Sequence, residues 1–321
     1  MMRLNKFFSL TACLTLFSIL ASGNSLAQKP VPLAADSDEI EMAYVQGKIY
    51  VIATGGSNIG VMVGDQGLII VDGGNAEATE NVINTITHLS DIPARYIINT
   101  VPLPGHLEGN AALTRLGELK ALIGVDQDVG IPIIGHGDSL TLLLANFVDE
   151  VPYEMWPNTT FFRELRTIYL NEEPIEILHQ PAAITMADVL VHFRISDVLF
   201  TGDIFDITSY PHFYAEYGGS LQGVIDALNN IIDITVPAFN QQGGTLIIPG
   251  HGRIASESDV VEYRDMLTII RDRMQLRIEQ GKSFEDILDD EISLEYDGLY
   301  GSDSGDWTTR MFLEAVYDDL R

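Results

Sequence analysis

Apolar and polar positions along this chain follow two distinct periods, and each change of period marks an element. Ile40 to Tyr44, Lys48 to Ala53, Asn58 to Val63 and Leu68 to Val71 are short runs that read as strands, the last three rich in Ile and Val and the last two flanking Gly64-Asp65-Gln66-Gly67. Runs of this kind predict an antiparallel meander with a tight turn. From Ala76 to Leu89 the period lengthens: Val82, Ile83, Ile86 and Leu89 recur at helical spacing, ahead of a short apolar strand from Arg95 to Asn99. A helix around Gly109 to Leu116, a strand from Ala121 to Val125 and a helix near Ser139 to Phe147 continue the alternation. Val151 to Thr160, with Pro152 and Pro157, reads as an irregular crossing between two halves.

The second half repeats the first. Strands are predicted at Thr167 to Leu170, Ile175 to His179, Val189 to Phe193 and Val198 to Thr201, followed by a helix from Leu221 to Ile232 and a strand from Thr245 to Ile248. Two strand-then-helix halves predict an α/β fold with two sheets packed between helices. Ser256 is placed to cap a long helix that runs to Gln280 and stops at Gly281, and Asp306 to cap a final one ending at Leu320. In the long helix Val260, Tyr263, Leu267, Ile270 and Met274 form a stripe at core spacing, which predicts packing rather than a partner groove.

Composition narrows the setting. The formal net charge is -28, so nucleic acid and anionic membrane surfaces would be repelled. Arg3 and Lys6, the apolar run from Phe7 to Ala21 and the small residues Ser25-Leu26-Ala27 have the three regions of a secretory signal peptide. Cleavage is expected after Ala27, with a periplasmic or secreted product. The run is short for a bilayer span and ends at Ser22-Gly23-Asn24, so no stable membrane span is expected after cleavage. Residues 1–27 also carry Cys13, the single cysteine, and the mature chain must build any metal site from His, Asp and Glu. Gly55-Gly56-Ser57-Asn58 is not the G-x-S-x-G elbow of serine hydrolases, and neither a phosphate loop nor a dinucleotide fingerprint is present.

Five segments then fall into a recognisable series. They are Asn58-Ile59-Gly60 through Val71-Asp72-Gly73-Gly74, Tyr96 to Thr100, Gln180 to Asp188, Leu199-Phe200-Thr201-Gly202-Asp203, and Ile248-Pro249-Gly250-His251-Gly252. In type and spacing they resemble the metallo-β-lactamase superfamily over nearly all of the mature chain. The resemblance implies an αββα sandwich, two mixed β-sheets packed face to face with helices on both outer faces, formed by residues 28–281. Residues 282–321 would be a helical extension packed on that domain.

The family's metal motif departs from its pattern here. After the residue matching Thr100 the family has His, any, His, any, Asp, His, whereas this chain reads Val101-Pro102-Leu103-Pro104-Gly105-His106. Ile184 stands where the family supplies another histidine. Val101, Leu103 and Ile184 thus replace the three histidines of one zinc, and aliphatic side chains have no lone pair for a metal. His106, Asp203 and His251 match ligands of the other zinc, and Gly105 replaces its remaining carboxylate.

The resemblance therefore implies a hydrolase-like protein with a degraded dinuclear site, re-purposed to bind a small-molecule ligand or an exported protein partner. Its cofactor would be none or one divalent ion, zinc or iron, rather than two zinc ions. A mononuclear hydrolase of the ester, thioester, lactone or lactam class, using His106, Asp203 and His251, is the alternative. Asp72, Glu108, Tyr210 and His212 are further candidates for the pocket, with Glu108 a potential substitute carboxylate. The trio can also be a hydrogen-bonded remnant in a pocket refilled with aliphatic groups. His88, His136, His179 and His192 show no partner pattern and read as structural or surface residues.

Overall fold

The computed structural model describes residues 40–55, 57–117, 130–241 and 243–321. The expected leader and the expected strand from Ala121 to Val125 lie outside these residues. The first half opens with β1 (Glu41–Gln46), β2 (Ile49–Ala53), β3 (Asn58–Met62) and β4 (Leu68–Val71), an antiparallel meander as the alternation predicts. After α1 (Thr79–Leu89), β5 (Ala94–Ile98) joins parallel to β4. The short helices α2 (Pro104–Leu107) and α3 (Asn110–Leu113) lead to β6 (Ile133–His136), α4 (Asp138–Asn146) and β7 (Thr159–Phe161). The first sheet is ordered β1-β2-β3-β4-β5-β6-β7.

The second sheet is ordered β12-β11-β10-β9-β8. Its strands are β8 (Leu165–Leu170), β9 (Glu173–Gln180), β10 (Asp188–Phe193), β11 (Val198–Gly202) and β12 (Leu246–Pro249). Helix α5 (Leu221–Ile234) links β11 to β12, which pair in parallel. Helices α6 (Glu257–Glu279), α7 (Phe284–Leu288), α8 (Leu294–Tyr300) and α9 (Thr309–Asp319) complete the chain.

Strand periodicity explains why the sheets stack. Ile69 and Val71 of β4 meet Val189, Val191 and Phe193 of β10 in one apolar cluster between the sheets. The alternate residues Leu68 and Ile70 pack outward on Val82 and Ile86 of α1. On the second sheet Leu190, Leu199 and Ile247 point outward instead, against α5, α6 and α9. Both faces of each sheet are covered, so the central strands are apolar at nearly every position. The result is the expected αββα sandwich.

Three details differ from the pattern-based reading. The strand that pairs with β5 on the side away from β4 is Ile133–His136, hidden in sequence by Gly130, Pro132, Gly135 and Gly137, residues that ordinarily punctuate loops. Val151 to Thr160 does not cross between halves: it makes a short turn at Tyr153–Met155 and enters β7 of the first sheet, so the crossing falls at residues 162–164. The last helix is capped by Thr308, whose hydroxyl accepts from the Met311 amide at 3.3 Å, and not by Asp306. The long helix ends as expected, with Gly281 in the left-handed region (φ 74°) after Gln280.

His192 sits on β10 facing outward under this helical layer, buried, with neither ring nitrogen hydrogen-bonded; Asp197 Oδ1 lies 3.9 Å from Nε2. Burial, reinforced by Arg194 and only partly offset by Asp197, lowers its pKa from 6.5 to about 4. The folded state thus binds its proton more weakly than the unfolded chain. Its neutral form is fully tolerated above pH 6.5, and stability is lost as pH falls toward 4. We expect wild type to lose about 2–3 kcal/mol more than His192→Leu between pH 7 and about pH 4.5, read by urea titration. Equal losses would show that His192 takes up its proton as readily in the folded state as in the unfolded chain.

Candidate functional site

The loops after β4, β11 and β12 converge on His106, which stands in the segment after β5. Asp72 ends β4 in a left-handed conformation (φ 65°), which turns its carboxylate under the next strand end. There it accepts from the Thr100 amide at 2.7 Å, the Thr100 hydroxyl at 2.6 Å and His106 Nδ1 at 3.1 Å. Pro104, with its fixed φ, starts the turn of α2 that carries His106 inward. The same turn is held by the Gly73 amide, which donates to the His106 carbonyl at 2.8 Å, and by Asn99 Nδ2 at 3.2 Å.

Across the cleft, Asp203 follows β11 and His251 follows β12. Gly250 permits their closeness: a Cβ there would lie 2.4 Å from Asp203 Oδ1. Asn58 fixes the second loop, its amide side chain donating to the carbonyls of Pro249 at 3.0 Å and Gly252 at 2.9 Å. Neither Asn58 nor Thr100 stood out as a site residue in sequence, because each acts only through partners distant along the chain.

The outcome is a chain of four groups. His106 Nε2 is 3.0 Å from Asp203 Oδ1, and His251 Nε2 is 3.4 Å from the same oxygen. Burial alone would lower the His106 pKa, but Asp203 and Asp72 outweigh it and raise it well above 6.5. Burial likewise opposes the charge on Asp203, yet the His106 imidazolium and the hydrogen bonds of both histidines hold its carboxyl far below the usual range. His251, partly open to solvent, is raised by Asp203 against its own desolvation.

The donor set fits one divalent ion. Two imidazole nitrogens and a carboxylate oxygen lie within 4.8 Å of one another. Bonds of about 2.0–2.1 Å at tetrahedral angles put ligand atoms about 3.3 Å apart, close to the 3.0 and 3.4 Å spacings here. Asp72 on Nδ1 fixes the tautomer that frees Nε2, the outer-shell arrangement of metal-bound histidines. Val101, Leu103 and Ile184 are buried in an apolar cluster and offer no donor atoms of their own.

His106, Asp203 and His251 border a cavity of about 370 Å³, whose remaining wall is Leu103, Pro104, Gly105, Phe147, Tyr214 and Tyr217. Phe147 and Tyr217 were not singled out in the sequence. The four further candidates lie elsewhere. Asp72 is buried behind His106; Glu108 turns away and accepts from the Ala76 amide at 2.9 Å. Tyr210 is in the core, stacked on Phe312 at 4.3 Å, and His212 is stacked behind Tyr214.

A second group, His136, Asp138 and His179, also brings ligand atoms within 4.8 Å. This pair has a partner relation that the sequence did not suggest, linking β6 of one sheet to β9 of the other. Its rings are stacked with centroids 3.5 Å apart and planes 11° from parallel, and His179 Nε2 is 2.9 Å from the Met186 carbonyl. Imidazole lone pairs lie in the ring planes, so parallel rings cannot both point at one ion. The arrangement suits two packed rings that tie the sheets together.

No family model matches the sequence, and no curated protein does. Solved structures do. A metallo-β-lactamase from Pontibacter korlensis aligns with a TM-score of 0.55 at 17% identity, over 72% of this chain and 99% of that one. The DIM-1 metallo-β-lactamase aligns at 0.54 and 18% identity, over 72% of this chain and 97% of that one. The stereoselective inverting sec-alkylsulfatase Pisa1 from Pseudomonas sp. aligns at 0.63 and 12% identity, over 88% of this chain but only 50% of the sulfatase, so this chain spans half of that protein's length. Among the described residues no helix is long and apolar enough to cross a membrane.

Proposed function

Starting from a chain that has the metallo-β-lactamase fold, we propose that it is an exported, hydrolase-like protein whose cleft holds one divalent ion on His106, Asp203 and His251. On this reading, two-zinc hydrolysis has been lost. The observation that carries the proposal is the convergence of both imidazole Nε2 atoms on one Asp203 oxygen, with Asp72 holding the far side of His106. Export rests on the leader-like N-terminus. The cleft, with apolar walls beside the polar trio, suits a small carbonyl compound of the ester, thioester, lactone or lactam class. A bound ion would supply Lewis acidity for polarising such a carbonyl. The chain's own residues then have separate tasks: Asp72 keeps the His106 proton on Nδ1, Asp203 supplies negative charge, and His251 stands at the solvent side.

A metal-free second reading keeps the same cleft as a ligand- or partner-binding site. It is favoured by the apolar burial of Val101, Leu103 and Ile184 and by the hydrogen bonds that already join His106 to Asp72 and Asp203. Metal analysis separates the two. Protein purified without chelator and supplied with zinc, iron or manganese is expected to retain about one ion per chain, lost in Asp203→Asn and His251→Ala. Gly105 opens into the cavity and a Cβ there meets nothing within 4 Å. Gly105→Asp is therefore expected to tighten metal binding by about tenfold against a competing chelator, through an added carboxylate. No retained ion in the wild-type protein would overturn the metal reading and leave the metal-free one.

A further inference from the structure

The wall of the cleft opposite His106 is built from the segment after Asp203. Tyr214 and Tyr217 line it, their rings stacked at 5.3 Å and 22°, with Phe147 set edge-on to Tyr217 at 5.4 Å. Backbone bonds peg this wall to the loop around Ile184: the Tyr214 amide donates to the Ile184 carbonyl, and the Met186 amide to the Tyr217 carbonyl, each at 2.9 Å. The Tyr214 hydroxyl, pushed up to about 12 by burial and nearby Asp203, stays protonated at neutral pH.

The wall continues away from the cavity. His212 stacks on Tyr214 at 4.2 Å, and Trp307 stacks on the other face of that sequence of rings, 3.8 Å from His212 and 14° from parallel. Trp307 is itself anchored, its Nε1 donating to the Tyr210 carbonyl at 3.2 Å. Four aromatic rings thus run from the segment between α8 and α9 to the cavity. Two tyrosine rings border a cavity of this size, with the Tyr214 hydroxyl 3.2 Å from His212 Nδ1, and an aromatic border of this kind favours flat apolar groups.

We propose that Tyr214 and Tyr217 are the recognition wall for an aromatic substituent on a carboxylic acid or its derivative, and that Trp307, acting through His212, is the residue that positions this wall. The inference rests on the reading of the cleft as a ligand site. The acyl or carboxyl end meets the His106, Asp203 and His251 group, with or without an ion, while the ring lies against the tyrosines. The C-terminal segment thereby takes part in specificity without touching the ligand.

The test is isothermal titration of the purified protein with acetate, butyrate and phenylacetate. Phenylacetate is expected to bind about tenfold more tightly than acetate and more tightly than butyrate. Tyr217→Leu, which keeps an apolar side chain without a ring, is expected to bring phenylacetate within about threefold of butyrate. Trp307→Ala is expected to weaken phenylacetate by about threefold or more while leaving acetate unchanged, and Trp307→Phe to restore it. Circular dichroism on each variant separates these effects from loss of fold, which would weaken all three ligands together.

Equal binding of acetate and phenylacetate overturns the proposal, as does an aromatic preference that survives Tyr217→Leu. An unchanged phenylacetate affinity in Trp307→Ala overturns the positioning role. If none of the three carboxylates binds, the ligand reading of the cleft falls with the proposal, whereas the metal count is measured separately and is unaffected by that result.

Discussion

Replacing Asp72 with Ala is expected to lower the unfolding free energy by about 3–5 kcal/mol in chelator-treated protein, measured by denaturant titration. The carboxylate accepts three hydrogen bonds in a site closed to solvent, from the Thr100 amide, the Thr100 hydroxyl and His106 Nδ1. Alanine would leave all three donors buried without an acceptor and the Asp203–His106 pair without its second carboxylate. It would also place an ordinary side chain at φ 65°, at a cost of about 1 kcal/mol or more. A loss below about 1 kcal/mol would mean that water replaces the carboxylate easily. Asp72→Asn gives a sharper result. Asparagine tolerates the left-handed conformation and matches the shape, but its amide group can oppose His106 Nδ1 with N–H and so favour the tautomer that protonates Nε2. Stability should fall less than in Asp72→Ala, while metal affinity falls by about 10–100-fold.

Phe312→Ala should cost about 3–5 kcal/mol. Phe312 is fully buried and lies flat on Tyr210, with ring centroids 4.3 Å apart and planes 3° from parallel. It belongs to the same apolar cluster as α5 and α6, so its removal leaves a cavity that neighbouring helices cannot close without shifting. Three polar links tie the same region down: Tyr210 donates to Asp297 Oδ1 at 2.8 Å, Trp307 Nε1 to the Tyr210 carbonyl, and the Leu221 amide to Asp319 Oδ2 at 3.0 Å. Because residues after 282 share this cluster with the second sheet, Phe312→Ala should lower a single unfolding transition. A separate early transition for the C-terminal helices would refute that coupling. Calorimetry distinguishes the outcomes.

Much of the architecture was legible because it is periodic. The meander from β1 to β4 and the stripe of Val260, Tyr263, Leu267, Ile270 and Met274 follow from local sequence, the first from short apolar runs broken by turn residues and the second from a repeat of about 3.6 residues. Where the repeat was short or interrupted by Gly and Pro, the reading failed, as at β6, and where several residues can cap a helix the choice between Asp306 and Thr308 was open to error.

For the site, the residue types and their order along the chain pointed to His106, Asp203 and His251, and to the aliphatic replacements at Val101, Leu103 and Ile184. Distances were beyond the reach of sequence. That His106 is gripped between Asp72 and Asp203, that Asn58 holds the His251 loop, that Glu108 turns away and that Trp307 stands behind the Tyr214 wall are all relations between residues far apart in the chain. A hydrogen bond or ring contact of this kind depends on how two sheets and their loops are docked, and local sequence carries no record of the angle at which that docking occurs. Composition and periodicity thus determined the layers and the chemical inventory of the cleft, and only tertiary packing decided which of those groups face one another.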